Sequence, residues 1–147
     1  MFTLVYISRE SWKMRRQELF LILTQSRDYN SQHDITGLLL YHDGRFIQAL
    51  EGEQDEVEKL YYKKIKKDPR HKQVETVLTR DIEKRNFPGW HMGFVSAYEE
   101  EKRNIFGFSR FLEPNYDIEQ ISKQTSDVWD LLLEFKTNKD MENLVDS

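Results

Sequence analysis

The sequence predicts an α+β domain in which two helices lie on one face of a mostly antiparallel sheet. Two patterns carry this expectation. Runs of alternating apolar residues and runs of helical period follow one another in the order β-α-β-β-α-β-β. An Asp43-Gly44 pair between two of the strand runs marks a tight hairpin. At 147 residues the chain is long enough for one domain with a real core.

Phe2 to Ile7 is the first strand, with Phe2, Leu4 and Tyr6 on one face and Thr3, Val5 and Ile7 on the other. Ser11 is placed to cap the helix after it, although Met14 stands where a capping box would put an acid. Leu19, Ile22, Leu23 and Ser26 recur at helical spacing, and this helix is expected to end near Asn30. Ile35 to Tyr41 and Arg45 to Leu50 form a hairpin about a type I′ turn. Gln54 to Lys67 is a second amphipathic helix with Val57, Leu60, Tyr61 and Ile65 as its stripe, stopped by Pro69. Val74 to Ile82 and Trp90 to Val95 complete the sheet. Two helices within this strand order make a ferredoxin-like arrangement.

That unit is expected to occupy residues 1–97, and residues 98–147 to form a helical C-terminal extension. Ile105, Phe106, Phe108, Phe111 and Leu112 call for burial, and Ile118, Ile121, Val128, Leu131, Leu132 and Phe135 suggest a further helix. The extension is expected to cap the far face of the sheet or to contact a partner.

A third of the residues are charged, but the signs are mixed and the net charge is −4, which argues against nucleic acid as the partner. Lys59, Lys63, Lys64, Lys66, Lys67, Arg70 and Lys72 form a local basic cluster, read either as a solvated helix face or as a site for an anion such as a ligand phosphate. The absence of cysteine excludes disulfides, thiolate catalysis and zinc–thiolate sites. His33, His42, His71 and His91 show no metal-ligand spacing, so no metal is expected. No apolar run approaches a membrane span, and the N-terminus reads as a strand rather than a signal peptide. The expected location is the cytoplasm.

Gln48 stands between Phe46 and Leu50 on one strand face. A buried amide without partners costs about 1–3 kcal/mol, so something polar should face it. Tyr6 shares a face with Phe2 and Leu4, while Ile22, Ser26 and Asn30 are spaced by four and line one stripe of the first helix. If that helix packs on that sheet face, a phenol and two amides meet in a common cleft. On spacing alone, the simpler reading is core polar groups that satisfy one another.

Sequence context goes further. Leu4-Val5-Tyr6-Ile7-Ser8, Asn30 followed by Ile35-Thr36-Gly37-Leu38-Leu39-Leu40-Tyr41, and Phe46-Ile47-Gln48-Ala49-Leu50-Glu51-Gly52-Glu53 occur in order. Asp68-Pro69-Arg70-His71 and Arg85-Asn86-Phe87-Pro88-Gly89-Trp90-His91-Met92 come next. Over residues 1–97 the chain resembles the BLUF family, blue-light sensors that use FAD. The resemblance implies a flavin ring between the two helices, sandwiched by Ile22 and Ile65, with Asn30 on its polar edge and Gln48 bridging it to Tyr6. Ser26 belongs to the same stripe. Asp68, Arg70 and His71 match a motif beside the ribityl and phosphate end, where Lys64 would add charge.

In the family's mechanism, light drives electron and proton transfer from the tyrosine to the flavin and leaves the glutamine amide rearranged. Tyr6 and Gln48 would be the photoactive pair. A glutamine suits the task because its two ends are a donor and an acceptor of similar shape. Trp90, Met92 and Phe94 share a face if the last strand alternates, and either Trp90 or Met92 would relay the signal beside Gln48. The resemblance further implies no attached catalytic domain, a homo-oligomer, and a separate downstream signalling protein.

One departure stands out. Between Val57 and Asp68 the chain is one residue longer than the family pattern. One extra residue rotates a helix face by about 100°, and a π-bulge would absorb it.

Two alternatives remain open. An acylphosphatase-type hydrolase of the same topology would use an arginine with an asparagine, such as Arg27 and Asn30, but Ser8-Arg9-Glu10-Ser11 lacks a glycine-rich anion cradle. The other is a ligand-free interaction module with Gln48 as a structural amide.

Overall fold

The computed structural model describes residues 1–42 and 44–96, with the backbone alone at 42, 95 and 96. The extension expected over residues 98–147 and Asp43 of the hairpin lie outside the described residues. The elements are β1 (Phe2–Glu10), α1 (Arg16–Gln32), β2 (Thr36–His42), β3 (Arg45–Gly52), α2 (Gln54–Leu60) with a π-helical turn at Tyr61–Ile65, β4 (His71–Asp81) and β5 (Gly93–Ser96). They form one five-stranded sheet in the order β4-β1-β3-β2-β5. Among these strands only β2 and β5 pair in parallel; the other neighbours are antiparallel.

Phe2, Leu4, Tyr6, Leu39, Phe46 and Leu50 of one sheet face pack against Leu19 and Leu23 of α1 and Val57, Leu60 and Tyr61 of the second helix. Burial of each such side chain contributes about 1.5–3 kcal/mol before conformational entropy is set against it. The opposite face carries Val5, Ile7, Leu38, Leu40 and Ile47, which are also buried.

Several boundaries differ from expectation for identifiable reasons. β1 runs on to Glu10 because both neighbours keep pairing with it, Arg9 with Arg45 and Glu10 with His71. Ser11 is therefore not a helix cap; its N–H donates to the Arg70 carbonyl at 2.9 Å. α1 starts after Arg15, whose N–H donates to the Glu18 carboxylate at 3.3 Å. β4 begins at His71 for the same pairing reason.

The second helix contains a π-helical turn, where the Lys66 N–H reaches the Tyr61 carbonyl at 2.9 Å; this is the device expected to absorb one extra residue. A wider turn accommodates one residue without re-aiming the rest of the helix.

β5 begins at Gly93 rather than Trp90. Trp90 and Met92 therefore precede the strand, and the face-sharing expected of them does not hold. Met92 joins the core on the helix side. The Trp90 ring lies beside Phe87, with centroids 6.1 Å apart, and over Gly93, which pairs with Leu38 of the opposite face.

Gly37 of β2 lies against β3, opposite Leu50. A Cβ there would clash with the Ala49 carbonyl and come within 3.3 Å of the Met92 methyl. Backbone cannot yield as a flexible side chain does, so Gly37→Ala is expected to destabilise the fold by about 2–4 kcal/mol. Urea unfolding would measure the loss, and a midpoint within error of the parent would contradict this account of the β2–β3 contact.

Candidate functional site

The site is built on β3. Register places Gln48 directly between Tyr6 of β1 and Leu39 of β2. Tyr6 and Gln48 are 4% and 5% exposed, so both polar groups need partners inside the protein. The Tyr6 hydroxyl donates to Gln48 Oε1, and Gln48 Nε2 donates to the Met92 sulfur at 3.2 Å. Burial pushes the Tyr6 phenol far above its ordinary range, with Tyr61 and Asp68 acting in the same direction. It therefore keeps its proton and remains a donor to the amide.

Above this face, α1 and the second helix leave a cavity of about 340 Å³. Tyr6, Ile22, Ser26, Asn30, Gln48, Lys64, Ile65, Asp68, Arg70 and His71 all line it. Leu60 and Ile65, at the two ends of the π-helical turn, both line the cavity. Met14, Gln25, Tyr29, Leu39, Phe46 and Leu60 line it as well and were not among the expected site residues. Gln25 and Tyr29 lie one turn from Ile22, Ser26 and Asn30, so a wider reading of that helical stripe would have found them. Leu39 required the strand register.

Two of the lining residues carry buried polar atoms without partners among the described residues. Asn30 donates from Nδ2 to the His91 carbonyl at 2.6 Å, while its Oδ1 is buried and has no hydrogen-bond partner among the described residues. The Tyr29 hydroxyl is in the same condition. The Tyr29 ring is held by stacking on His33 at 4.0 Å and by Lys64 Nζ at 4.4 Å from its centre. Orphaned buried groups cost about 1–3 kcal/mol each. A planar heterocycle with a polar edge would satisfy them while its faces met Ile22 and Ile65.

Asp68, Arg70 and His71, which also line the cavity, are already paired. Arg70 Nη2 meets Asp68 Oδ2 at 2.6 Å, and Nη1 donates to Gln25 Oε1 at 3.0 Å. Burial alone would raise the Asp68 carboxyl, but the hydrogen bonds from Arg70 outweigh it and hold the group below the usual carboxylate range. His71 bridges strand and helix, pairing Nδ1 with the Ser8 hydroxyl at 2.9 Å and Nε2 with the Ile65 carbonyl. In the basic cluster, Lys64 and Arg70 reach the cavity, while Lys59, Lys63, Lys66, Lys67 and Lys72 are exposed, as a solvated helix face would be.

A buried phenol–amide pair beneath a cavity with an apolar waist and a polar edge defines a domain that can hold a flavin-like ring against a reversible hydrogen-bond network. Comparison with known proteins agrees. Residues 1–93 match the family model described as BLUF, sensors of blue-light using FAD. The photoactivated adenylate cyclase subunit beta of Euglena longa is 43% identical over 99 residues, covering 67% of this chain and 11% of that protein. The structure of BlsA in its ground state is 33% identical with a TM-score of 0.72, covering 90% of this chain and 87% of that one. The dark-state structure of BlrB, a BLUF protein, is 28% identical with a TM-score of 0.68, covering 86% of this chain and 93% of that one.

The chain belongs to the BLUF family of blue-light sensors, and its cofactor is FAD. It spans about a tenth of the length of the cyclase subunits it matches. Among the described residues no cluster suits a metal ion, and no helix is long and apolar enough to cross a membrane.

The Asp68–Arg70 pair has a consequence for acid stability. A carboxyl held low in the folded state contributes stability above its unfolded pKa, near 4, and loses it as pH falls through the folded value. Asp68→Asn should therefore flatten the decline in thermal unfolding midpoint between about pH 5 and pH 3. An unchanged slope would show that the pair adds nothing to the fold.

Proposed function

We propose that Tyr6 and Gln48 are the light-responsive pair of this sensor and that Met92, rather than Trp90, is the neighbour that reads the amide. The observation that carries this is the continuous chain from the Tyr6 hydroxyl through the Gln48 amide to the Met92 sulfur. Ile22 and Ile65 would flank the flavin, Asn30 Oδ1 would meet its polar edge, and Lys64, Asp68, Arg70 and His71 would lie toward its ribityl and phosphate end. When bound and excited, FAD supplies a strong oxidant beside this network.

The chain's own part is to hold a proton on Tyr6, aim it at Gln48 and keep water out of a buried contact. Reversing the amide would present a donor to the phenol and an acceptor to the sulfur. That reversal rewires the network without moving the strand that carries it. A passive structural amide would show the same phenol–amide contact; the BLUF match and the cavity that both residues line support the light-responsive role. The BLUF match does not favour the hydrolase reading, and Asn30 donates to the His91 carbonyl.

The same reading gives the domain a signalling role toward a separate effector protein, within a homo-oligomer and without catalysis of its own. Cytoplasmic placement fits such a partner. Residues 98–147 would serve as a cap on the sheet or as the contact surface. A pull-down from dark and illuminated extracts should recover a binding protein in one state only; equal recovery in both would contradict a light-gated partner.

Purified protein should be yellow and should shift its absorption reversibly to the red under blue light. Gln48→Leu and Tyr6→Phe should each retain flavin and lose the shift. A normal photocycle in either variant would remove that residue from the proposed pair. Asn30→Ala should weaken FAD binding by about tenfold or more, the value of one or two buried hydrogen bonds. Fluorescence titration of the apoprotein would measure it.

A further inference from the structure

Residues 87–92 reach β5 without strand pairing, so their backbone carbonyls need partners from elsewhere. Three consecutive carbonyls find them in different places. The Trp90 carbonyl accepts from the Gly37 N–H at 2.9 Å. The His91 carbonyl accepts from Asn30 Nδ2 at 2.6 Å, and the Met92 carbonyl from Arg27 Nε at 2.9 Å. Arg27 and Asn30 are one turn apart on α1, so one helical stripe holds two adjacent peptide groups.

We propose that Arg27 is the positioning residue that keeps Met92 beside Gln48 and thereby sets how readily a change at Gln48 displaces the segment leading into β5. The proposal rests on the reading of Gln48 as the light-responsive amide. Arg27 does not line the cavity, and nothing in the family motifs singled it out.

The physical case has three parts. First, a methionine side chain has three rotatable bonds and adapts easily, so its sulfur stays in place only if its backbone does. Second, the space it occupies is made by the missing side chain of Gly37, where a Cβ would approach the Met92 methyl to 3.3 Å. Third, the donor on its carbonyl is a charged guanidinium in a partly buried place, the stronger kind of hydrogen bond.

If the Gln48 amide reverses, the sulfur faces an oxygen instead of Nε2. The Nε2–sulfur contact is lost, and the Arg27 bond is then what retains the backbone of Met92. A second position of Met92, reached by releasing the Arg27 bond while Gly37 and Asn30 keep theirs, would make this segment a bistable element.

The test uses the full chain with FAD bound and carbon-13 labels on its methionine methyls. The Met92 signal is assigned by its disappearance in Met92→Leu. In the dark, Arg27→Leu should give a second Met92 signal, its share raised about tenfold over the parent, and should change the dark-recovery rate by a similar factor. Arg27→Gln, which returns a neutral donor, should recover part of both, and FAD affinity should hold in each variant.

Identical Met92 shifts and recovery rates in Arg27→Leu and the parent would overturn the proposal. If Arg27→Leu does not fold, Arg27→Met, which keeps the length of the side chain and lacks the donor, takes its place, and a parent-like Met92 signal there would overturn it equally. Failure of the parent to shift to the red would sink the role given to Gln48. The dark Met92 signal would still report whether Arg27 holds the segment.

Discussion

The whole site depends on one register, the pairing of Tyr6 with Gln48 across β1 and β3. Side chains in a strand alternate, so a slip of one residue would send Gln48 to the opposite face and set Ile47 or Ala49 beneath the cavity. That register is held along the full length of both strands, from Phe2 opposite Gly52 to Arg9 opposite Arg45. A phenol and an amide on directly opposed residues have side chains of suitable length to meet over the sheet. The hydrogen bond between them is set by where the strands are pinned, and the helices only enclose it.

This constraint also fixes the division of labour. The sheet supplies the phenol and the amide, α1 supplies Asn30 and the wall at Ile22, and the second helix supplies the opposing wall at Ile65. Each helix also ties itself to the frame. α1 does so through the carbonyls of His91 and Met92, and the second helix through His71, which clasps the Ile65 carbonyl on one side and Ser8 of β1 on the other. The polar groups left over, Asn30 Oδ1 and the Tyr29 hydroxyl, belong to residues that line the cavity. Such groups are costly in an empty protein and useful in a loaded one, since donors and acceptors fixed in advance need no reordering when a ligand arrives.

How much of this was legible in the chain differs by element. Alternation alone put Tyr6 and Gln48 on interior faces, and helical spacing put Ile22, Ser26 and Asn30 on one stripe, because both are local periodicities. Register is not local, so the partnership of Tyr6 with Gln48 came from resemblance and not from spacing. A π-bulge was the expected answer to the length between Val57 and Asp68, and a π-helical turn lies in that stretch. Trp90 and Met92 were misread for a clear reason. The carbonyls of Trp90, His91 and Met92 take a backbone N–H of β2 and two side chains of α1 as partners, and no pattern within residues 90–95 could reveal that the strand had not yet begun. Tyr29 was passed over because an aromatic beside an asparagine on a helix looks like ordinary core.

The segment between Asp81 and Gly93 explains where movement can and cannot go. Its middle is anchored by Glu51, a fully buried side chain on β3 that accepts from the N–H groups of Asn86 at 2.9 Å and Phe87 at 2.7 Å and from the Thr36 hydroxyl at 2.9 Å. Arg85 adds bonds to Thr36 and to the Asp34 and Glu51 carbonyls. A buried carboxylate with this many partners is costly to release, because each bond lost leaves an acceptor without compensation. Phe87 is therefore a fixed point, and β5 is a second one through its parallel pairing with β2. Between them lie Trp90, His91 and Met92, held by single hydrogen bonds to their carbonyls. Gln48 touches this short span at the Met92 sulfur, and the bonds from Arg27, Asn30 and Gly37 hold its carbonyls.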